Sequence, residues 1–319
     1  MGLKLSSAAL MAALFLLSAC QGGPPPASAP PPEPPPASAS APQGEAPQSL
    51  PDIPPAPDGG PLTESPGPEG PASPEEPPED PLPEPEPEGP PNTTLYVLMY
   101  HHFVQEEGAG LNDWTLTQER FRADLEWLSS HGYATVLPRE LAAGEPLPQR
   151  AVMLTFDDGY ASNYTLAYPL LQEYGAKAAI ALITSLNEEG HPDYLSWDMC
   201  QEMARSGLVE LGSHTHALHQ EHPRGVKRLP GESREEYEAR VLPDLERSAA
   251  LIEEHTGAEV TYFAYPHGQK DSWAADFIAQ RFSVTVTTKH GPGSVAGGLY
   301  SLPRYNISTK QSPSRFLPE

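Results

Sequence analysis

The chain has 319 residues, a formal net charge of −24 and 41 prolines, of which 28 fall within residues 21–91. That segment also holds 13 acidic residues and no Lys or Arg, so it has too little apolar surface for a packed core. We therefore expect one folded domain over residues 92–319, with 30 acidic and 18 basic residues and a net charge of −12. This balance lacks the positive surface needed to bind nucleic acid or anionic lipid headgroups, and we exclude both classes of function.

The N-terminal residues have the pattern of an export signal. Lys4 provides an early positive charge, and the apolar run over residues 8–17 is too short to span a bilayer. Leu17-Ser18-Ala19-Cys20 resembles the lipobox of bacterial lipoproteins. This resemblance implies a signal peptide over residues 1–19, a lipid on Cys20 and an extracytoplasmic location at the surface of the bacterial membrane. N-myristoylation at Gly2 and secretion without a lipid are the alternatives.

Residues 20–91 are predicted to form a disordered spacer that carries the domain away from its lipid anchor. Pro alternates there with Ala, Ser and Glu, which favours extended conformations with a reach on the order of 100–200 Å. The domain itself contains a single cysteine, Cys200, so a disulfide framework or a multi-cysteine zinc site is excluded. We expect Cys200 to be a buried thiol.

Short apolar runs alternate with amphipathic stretches through the domain, as in strands followed by helices around a parallel sheet. The predicted fold class is α/β, a distorted (β/α) barrel of about seven strands. The predicted strands are 95–100, 135–137, 151–155, 178–183, 209–212, 262–265 and 284–287. The predicted helices are 117–131, 161–174, 197–206, 232–255 and 272–280, with a kink or break at Pro243 in the fourth.

Polar residues follow four of these strands, at the positions where barrels of this kind carry their chemistry. We expect the four groups to meet at one rim of the barrel. They are Tyr100-His101-His102, Asp157-Asp158-Gly159, the segment from His214 to His219, and Pro266-His267-Gly268.

Adjacent carboxylates at the end of an apolar strand are costly to bury, because each charge raises the cost of the other. A metal ion removes this conflict: one carboxylate of the Asp157-Asp158 pair can bind the ion while the other acts as a base towards water. Gly159 allows a sharp exit from the strand. Two aspartates that cap the following helix are the alternative interpretation.

The segment 212–219 places three histidines within six residues after a strand. Imidazole and carboxylate together suit zinc and related ions, and three protein ligands with open positions are typical of a catalytic site. If the strand continues, His214 and His216 share a face; if the chain turns, His214 and His219 can approach one ion. The spacing leaves both arrangements open, and histidines bonded to local backbone groups are a third.

Thr155-Phe156-Asp157-Asp158-Gly159-Tyr160, followed by Ser213-His214-Thr215, resembles the polysaccharide deacetylase family, the family-four carbohydrate esterases. The resemblance covers most of residues 96–308. It implies a metal-dependent, distorted α/β barrel that removes acetyl groups from polysaccharides. Carried over residue by residue, Asp157 is the general base and Asp158 a metal ligand. The commoner family pattern spaces its two ligand histidines by four, but residue 218 is Leu, so the resemblance implies His214 and His219, five apart, as the other ligands.

The His214 and His219 spacing is similar to that of the poly-β-1,6-N-acetylglucosamine deacetylase subgroup, as are residues 98–103 and 262–268. Two departures from the main family follow. The arginine that steadies the catalytic aspartate is replaced by Ala264, and the late Leu-x-His that supplies the general acid reads Leu302-Pro303-Arg304. The subgroup resemblance nominates His101 as the acid, with His102 as the alternative. It also implies substrate contacts from Tyr160, Tyr265, Pro266 and His267.

The function implied is hydrolysis of N-acetyl groups on an extracellular or cell-wall polysaccharide containing N-acetylglucosamine, with release of acetate. The cofactor expected is a divalent metal, zinc in the first place, with cobalt, nickel and iron as alternatives. The partners expected are the acetylated polysaccharide and, through the lipid alone, the membrane. A catalytically silent glycan-binding lipoprotein and a wall peptidase or amidase are the competing functions, although no zinc-protease helix motif is present.

Overall fold

The computed structural model describes residues 91–106, 108, 112–221 and 224–319. The predicted signal peptide, the lipidation site Cys20 and the spacer up to residue 90 lie outside this range. Within it, no helix combines the length and apolar character that crossing a membrane requires.

A curled sheet forms the centre of the described residues and contains nine strands. Seven of them follow one path, in the order β10-β1-β5-β6-β7-β8-β9; β11 pairs with β1, and β4 pairs with β5. All neighbours in this sheet run parallel except β10, which pairs antiparallel with β1. Its strands are β1 (Thr94–Tyr100), β4 (Ala134–Thr135), β5 (Ala151–Phe156), β6 (Ala178–Leu182), β7 (Val209–Ser213), β8 (Tyr262–Ala264), β9 (Val284–Val286), β10 (Gly293–Ser294) and β11 (Tyr305–Asn306).

A separate parallel pair lies beside the sheet, formed by β2 (His102–Val104) and β3 (Thr115–Thr117). The predicted α/β barrel is confirmed, and each of the seven predicted strand positions holds a strand. Four further strands, β2, β3, β10 and β11, were not predicted, because segments such as Thr-Leu-Thr in β3 and Gly-Ser in β10 do not form an apolar run.

Helices connect the strands, as the parallel topology requires. They are α1 (Gln118–Ser130), α2 (Pro138–Ala142), α3 (Tyr168–Tyr174), α4 (Thr184–Glu188), α5 (Trp197–Arg205), α6 (Leu218–Glu221), α7 (Arg234–Thr256) and α8 (Ala275–Arg281), and a π-helical turn, Asn163–Ala167, precedes α3. Of the kink or break predicted at Pro243, the break is wrong, because α7 runs through Pro243 as one helix of 23 residues, and the kink stays a prediction. Capping at Ser233 and apolar packing along α7 hold the helix across the missing N–H.

Apolar clusters lie on both faces of the sheet. Leu154 and Phe263 pack with the long helices, whereas Met153 and Ala264 belong to a second cluster on the inner face. Side chains alternate along a strand, so Asp157, which follows β5 directly, continues the inner face of Met153. Cys200 is fully buried in the helix-facing cluster, and burial raises the pKa of its thiol to about 12, as expected for a structural rather than a reactive cysteine.

Candidate active site

The turn after β5 presents the two aspartates. The backbone N–H of Asp157 donates to the carbonyl of Tyr100 at 2.9 Å, which extends the pairing of β5 with β1 by one residue. The chain then turns sharply, with positive φ at Asp158 (74°) and Gly159 (77°). A Cβ at position 159 would lie 2.7 Å from Leu182 Cδ2 and would strain the positive φ, so glycine is favoured at this exit from the strand, in agreement with the sequence-based expectation.

Arg304 binds Asp157 through two parallel hydrogen bonds, Nη1 to Oδ1 and Nη2 to Oδ2, each 2.7 Å long. The same guanidinium donates to Thr155 Oγ1 at 3.1 Å and, through Nε, to the carbonyl of Thr287 at 2.8 Å. The side chain of Arg304 is fully buried. The inference that the steadying arginine is lost at Ala264 therefore needs correction: an arginine holds the aspartate, and it comes from position 304.

This ion pair decides the charge of Asp157. Burial by itself would raise the pKa of the carboxyl, but the positive charge of Arg304 and its two hydrogen bonds hold that pKa well below the ordinary range. Asp157 is therefore ionised throughout the neutral range and is available as a proton acceptor.

Asp158, His214 and His219 come together on the other side of the turn. One potential ligand atom from each lies within 4.8 Å of the others, and Asp158 Oδ1 is 3.5 Å from Nε2 of both histidines. Among the described residues, no group hydrogen-bonds to the buried atoms Asp158 Oδ1 and His219 Nδ1. A buried carboxylate oxygen without a partner, faced by two imidazole nitrogens, fits a divalent metal ion.

The backbone also sets the tautomer of His214. Its Nδ1 lies 2.8 Å from the carbonyl oxygen of Ala264, a group that only accepts, so Nδ1 carries the proton and Nε2 keeps its lone pair towards Asp158. Metal-ligating histidines are commonly oriented in this way.

The chain turns after His214, which decides between the arrangements that spacing left open. β7 ends at Ser213, and Thr215 has a φ of 79°. The short helix α6 then brings His219 back towards Asp158. His216 points elsewhere: its Nδ1 is 3.1 Å from Thr184 Oγ1, and its Nε2 accepts from Arg247 Nε at 3.3 Å.

Burial and nearby charges disfavour the charged forms of Asp158 and His219. Burial and the neighbouring charge of Asp157 raise the pKa of Asp158 to about 7. Burial and the positive charge of a protonated His214 lower the pKa of His219 to about 3. A bound cation would relieve both effects, since it favours an ionised carboxylate and neutral imidazoles.

A cavity of about 400 Å³ is lined by Asp157 and by the three candidate metal ligands. The prediction that residues after separate strands meet at one rim is therefore confirmed. Of the residues predicted to contact substrate, Tyr160 and His267 line it. His267 also stacks on His219 with ring centroids 4.5 Å apart.

Tyr265 and Pro266 lie away from this cavity, because both are buried and neither is among the residues that line it; their substrate contacts stay a prediction. Tyr265 packs edge-on against Phe263 in the helix-facing cluster. The alternation of β8 explains this position: residues 263 and 265 face the helices, whereas 262 and 264 face inwards.

His101 and His102 both line the cavity, in different settings. Burial lowers the pKa of His101 to about 4, and its buried Nδ1 finds no partner among the described residues. Asn163 donates to the carbonyl of His101 at 2.8 Å, and the indole of Trp114 meets its ring at 4.7 Å. His102 is about half buried and contacts the Tyr160 ring at 4.9 Å.

The sequence analysis missed several residues of this site, namely Arg304, Asn163, Asn112, Trp114 and Thr288. Arg304 could have been found, since an arginine between the apolar residues 302 and 305 is an uncommon candidate for a buried charge. Asn112, Trp114 and Thr288 lie in loops and Asn163 begins the π-helical turn, and the approach of all four to the site depends on the tertiary fold.

The chain is similar to proteins of one family over most of its described part. The Polysaccharide deacetylase family profile matches residues 144–284. YxkH of Bacillus subtilis (strain 168), whose name places it provisionally among polysaccharide deacetylases, is 30% identical over 227 residues, which cover 70% of this chain and 74% of that protein.

Two further similarities concern named deacetylases. The poly-β-1,6-N-acetyl-D-glucosamine N-deacetylase of Escherichia coli (strain K12) is 27% identical over 254 residues, 69% of this chain but only 38% of that protein. The solved structure of a de-N-acetylase from Aggregatibacter actinomycetemcomitans matches with a TM-score of 0.61 and 28% identity, over 69% of this chain and 97% of the other. The chain therefore belongs to the polysaccharide deacetylase family and is a hydrolase of that family.

Proposed function

We propose that this protein hydrolyses N-acetyl groups on a polysaccharide that contains N-acetylglucosamine, releasing acetate. The observation that carries the proposal is the pairing, in one cavity, of an ionised base with a set of metal ligands: Asp157 held by Arg304, beside Asp158, His214 and His219. The names of the Escherichia coli and Aggregatibacter proteins support an acetamide as the bond cleaved.

Asp158, His214 and His219 would hold the metal, with zinc as the first candidate because two imidazoles and one carboxylate match its preferences. A divalent ion bound there supplies Lewis-acid polarisation of the acetyl carbonyl and acidifies water. Cobalt, nickel and iron suit the same ligands.

Asp157 takes the proton from the attacking water. Its two hydrogen bonds to Arg304 fix the plane of the carboxylate and keep it ionised, while each oxygen retains a lone pair for the incoming proton. This orientation restricts the base to one approach, which lowers the entropy that the reaction must lose.

The amine that leaves requires a proton, because an amine anion is too poor a leaving group. His101 lines the same cavity and is the proposed donor. Burial keeps it neutral in the resting site, and the charge of Asp157 opposes that effect. His101 must therefore gain a proton before it can donate one. The proton that Asp157 takes from water would supply it, and burial, which disfavours the charged imidazole, would favour its release to the amine. A backbone N–H near Tyr160 is the proposed donor to the oxyanion.

We also propose that the enzyme works outside the cytoplasmic membrane, anchored through a lipid on Cys20 and extended by the spacer of residues 20–91. The lipobox-like tetrapeptide that ends at Cys20 and the composition of the spacer support this location. Cys20→Ala should release the protein from membranes without a change in specific activity; continued membrane association would contradict the anchor.

Acetate release tests the proposed activity. The full chain, prepared with and without zinc, should be offered poly-β-1,6-N-acetylglucosamine, chitooligosaccharides and peptidoglycan. We expect zinc-dependent release from at least one of them, abolished by Asp157→Asn, which keeps the size of the side chain and removes the base. Zinc binding without acetate from any acetylated glycan would instead support a silent glycan-binding protein.

A further inference from the structure

The loop that carries the histidines is bound from behind by α7. Asp244 accepts hydrogen bonds from three consecutive backbone N–H groups: His216 N to Oδ1 at 2.9 Å, and Ala217 N and Leu218 N to Oδ2 at 2.8 and 3.2 Å. Both carboxylate oxygens are thus used in holding one turn of backbone.

Asp244 supplies hydrogen-bond acceptors that residues next to this turn in the sequence lack. The helix α6 begins at Leu218, and Ala217 before it has no side-chain oxygen to accept from the first N–H groups. Thr215 Oγ1 accepts from His219 N at 3.1 Å, which leaves the three preceding N–H groups to Asp244. An acidic side chain distant in the sequence therefore performs the task of a helix cap, and its negative charge suits the start of a helix.

The same turn contains an unfavourable backbone conformation. Thr215 is β-branched and has a φ of 79°, a region that such residues rarely occupy. This conformation reverses the chain between His214 and His219, so both imidazoles reach Asp158. A conformation of this kind persists only where surrounding contacts fix it, and the bonds to Asp244 begin at the next residue.

A second contact joins α7 to the start of the loop. Ser248, one turn after Asp244, lies 2.8 Å from Ser213 through their hydroxyl oxygens, and Ser213 Oγ accepts from Thr215 N at 3.1 Å. The loop is therefore attached to one helix on both sides of Thr215.

We propose that Asp244 is a positioning residue of the metal centre, which sets the separation of His214 and His219 by fixing the backbone between them. The inference rests on the proposed metal site. It adds a residue that touches neither the ion nor the substrate, and it predicts that metal affinity depends on hydrogen bonds formed on the side of the loop away from the ion.

The test is the zinc affinity of Asp244→Asn in the full chain purified in detergent, measured by competition with a chromogenic chelator. Asparagine keeps the shape but offers one acceptor oxygen and places an NH₂ group against N–H donors. We expect affinity to fall by about 10–100-fold, the range typical for residues that orient metal ligands, and to fall further in Asp244→Ala. Affinity within twofold of the wild type in Asp244→Asn would overturn the inference.

Glu254→Gln is the matched control, since it removes one negative charge from an exposed position on the same helix. Its zinc affinity should equal that of the wild type; an equal loss in both variants would assign the effect to charge and overturn the inference. Wild-type protein that binds no divalent metal would instead refute the metal centre itself.

Hydrogen exchange provides a test that needs no variant. The amides of residues 216–218 should exchange slowly in the metal-free wild type, because their bonds to Asp244 do not depend on the ion. Fast exchange that becomes slow only with zinc would show that the metal orders the loop, and would overturn the assignment of that role to Asp244.

Discussion

Asp157 and Asp158 are neighbours in the chain, but the protein surrounds them in opposite ways. Arg304 binds both carboxylate oxygens of Asp157, whereas Asp158 faces two imidazole nitrogens and keeps a buried oxygen without a partner among the described residues. The pKa of Asp157 is held far below its ordinary range, and that of Asp158 is raised to about 7. The difference indicates a division of roles: Asp157 has a cationic partner in the protein itself, whereas Asp158 is arranged to bind a metal ion.

The largest expected effect is on His101, the proposed general acid that acts with the base Asp157. His101→Ala should lower the rate of amide hydrolysis by about 10²–10⁴-fold, the usual contribution of a general acid. Activated aryl acetates should lose much less, because a phenolate leaves without a proton. Both rates should be measured on one preparation with its metal content determined.

His102→Ala is the control for that experiment, since His102 lines the same cavity and contacts Tyr160 instead. A selective loss on amides in this variant would move the assignment to His102. Equal loss on amide and ester in His101→Ala would indicate a structural role for His101.

Arg304→Met tests how much the buried ion pair between Arg304 and Asp157 contributes to stability. Removing one partner of a buried pair leaves the other charge uncompensated and costs about 3–5 kcal/mol. The free energy of unfolding, measured in urea at pH 7, should fall by that amount. The double variant Asp157→Asn/Arg304→Met should be more stable than Arg304→Met alone; a double variant that is less stable would show that Arg304 stabilises the fold through Thr155 and Thr287 instead.

Variants of the candidate metal site, Asp158, His214 and His219, should lose activity by a different route, through loss of metal. His219→Ala should reduce zinc affinity by more than the roughly 100-fold typical of residues that only orient ligands. His216→Ala should retain zinc, because its imidazole contacts Thr184 and Arg247 rather than Asp158. Metal content after dialysis distinguishes the two variants, and the reverse result would restore the arrangement in which His214 and His216 share a face.

The smallest expected effect is on the pH dependence of stability in the metal-free protein. Because the folded pKa of Asp158, about 7, lies above the unfolded value near 3.8, the folded state binds the proton more tightly. The contribution of this group is fully present below about pH 4 and is lost as the pH rises through 7. The metal-free wild type should therefore lose about 2 kcal/mol relative to Asp158→Asn between pH 5 and pH 7. Urea unfolding at both pH values measures this difference, and added zinc should remove it.

Subtracting Asp158→Asn isolates the group, since burial also raises the pKa of Asp124 to about 7 and lowers that of His101 to about 4. An identical pH dependence in the wild type and the variant would mean that Asp158 is ionised without a metal. The two carboxylates would then be less different than their surroundings indicate.

Local sequence was sufficient for seven strands of the sheet and for the aspartates and histidines of the site. β6 is apolar throughout and β5 is apolar except for Thr155, and a short apolar run of this kind between polar turns is typical of a buried strand. Gly159 could be assigned to the turn because glycine adopts a positive φ without strain, and its φ is 77°. Pro243 shows the limit of such rules, because packing of α7 outweighs the local preference to end a helix.

The sequence by itself thus determined which residues carry the chemistry, since carboxylates and imidazoles after apolar strands have few structural uses. Only the tertiary structure decided which of these residues lie together and which role each can take. Arg304 reaches Asp157 across 147 positions, and Asp244 fixes the turn that selects His219 over His216 from 26 to 28 positions away. The alternation of β8 turns Tyr265 towards the helices. Each of these outcomes depends on contacts between residues distant in the chain, and the spacing of nearby residues carries no information about which distant partner will arrive.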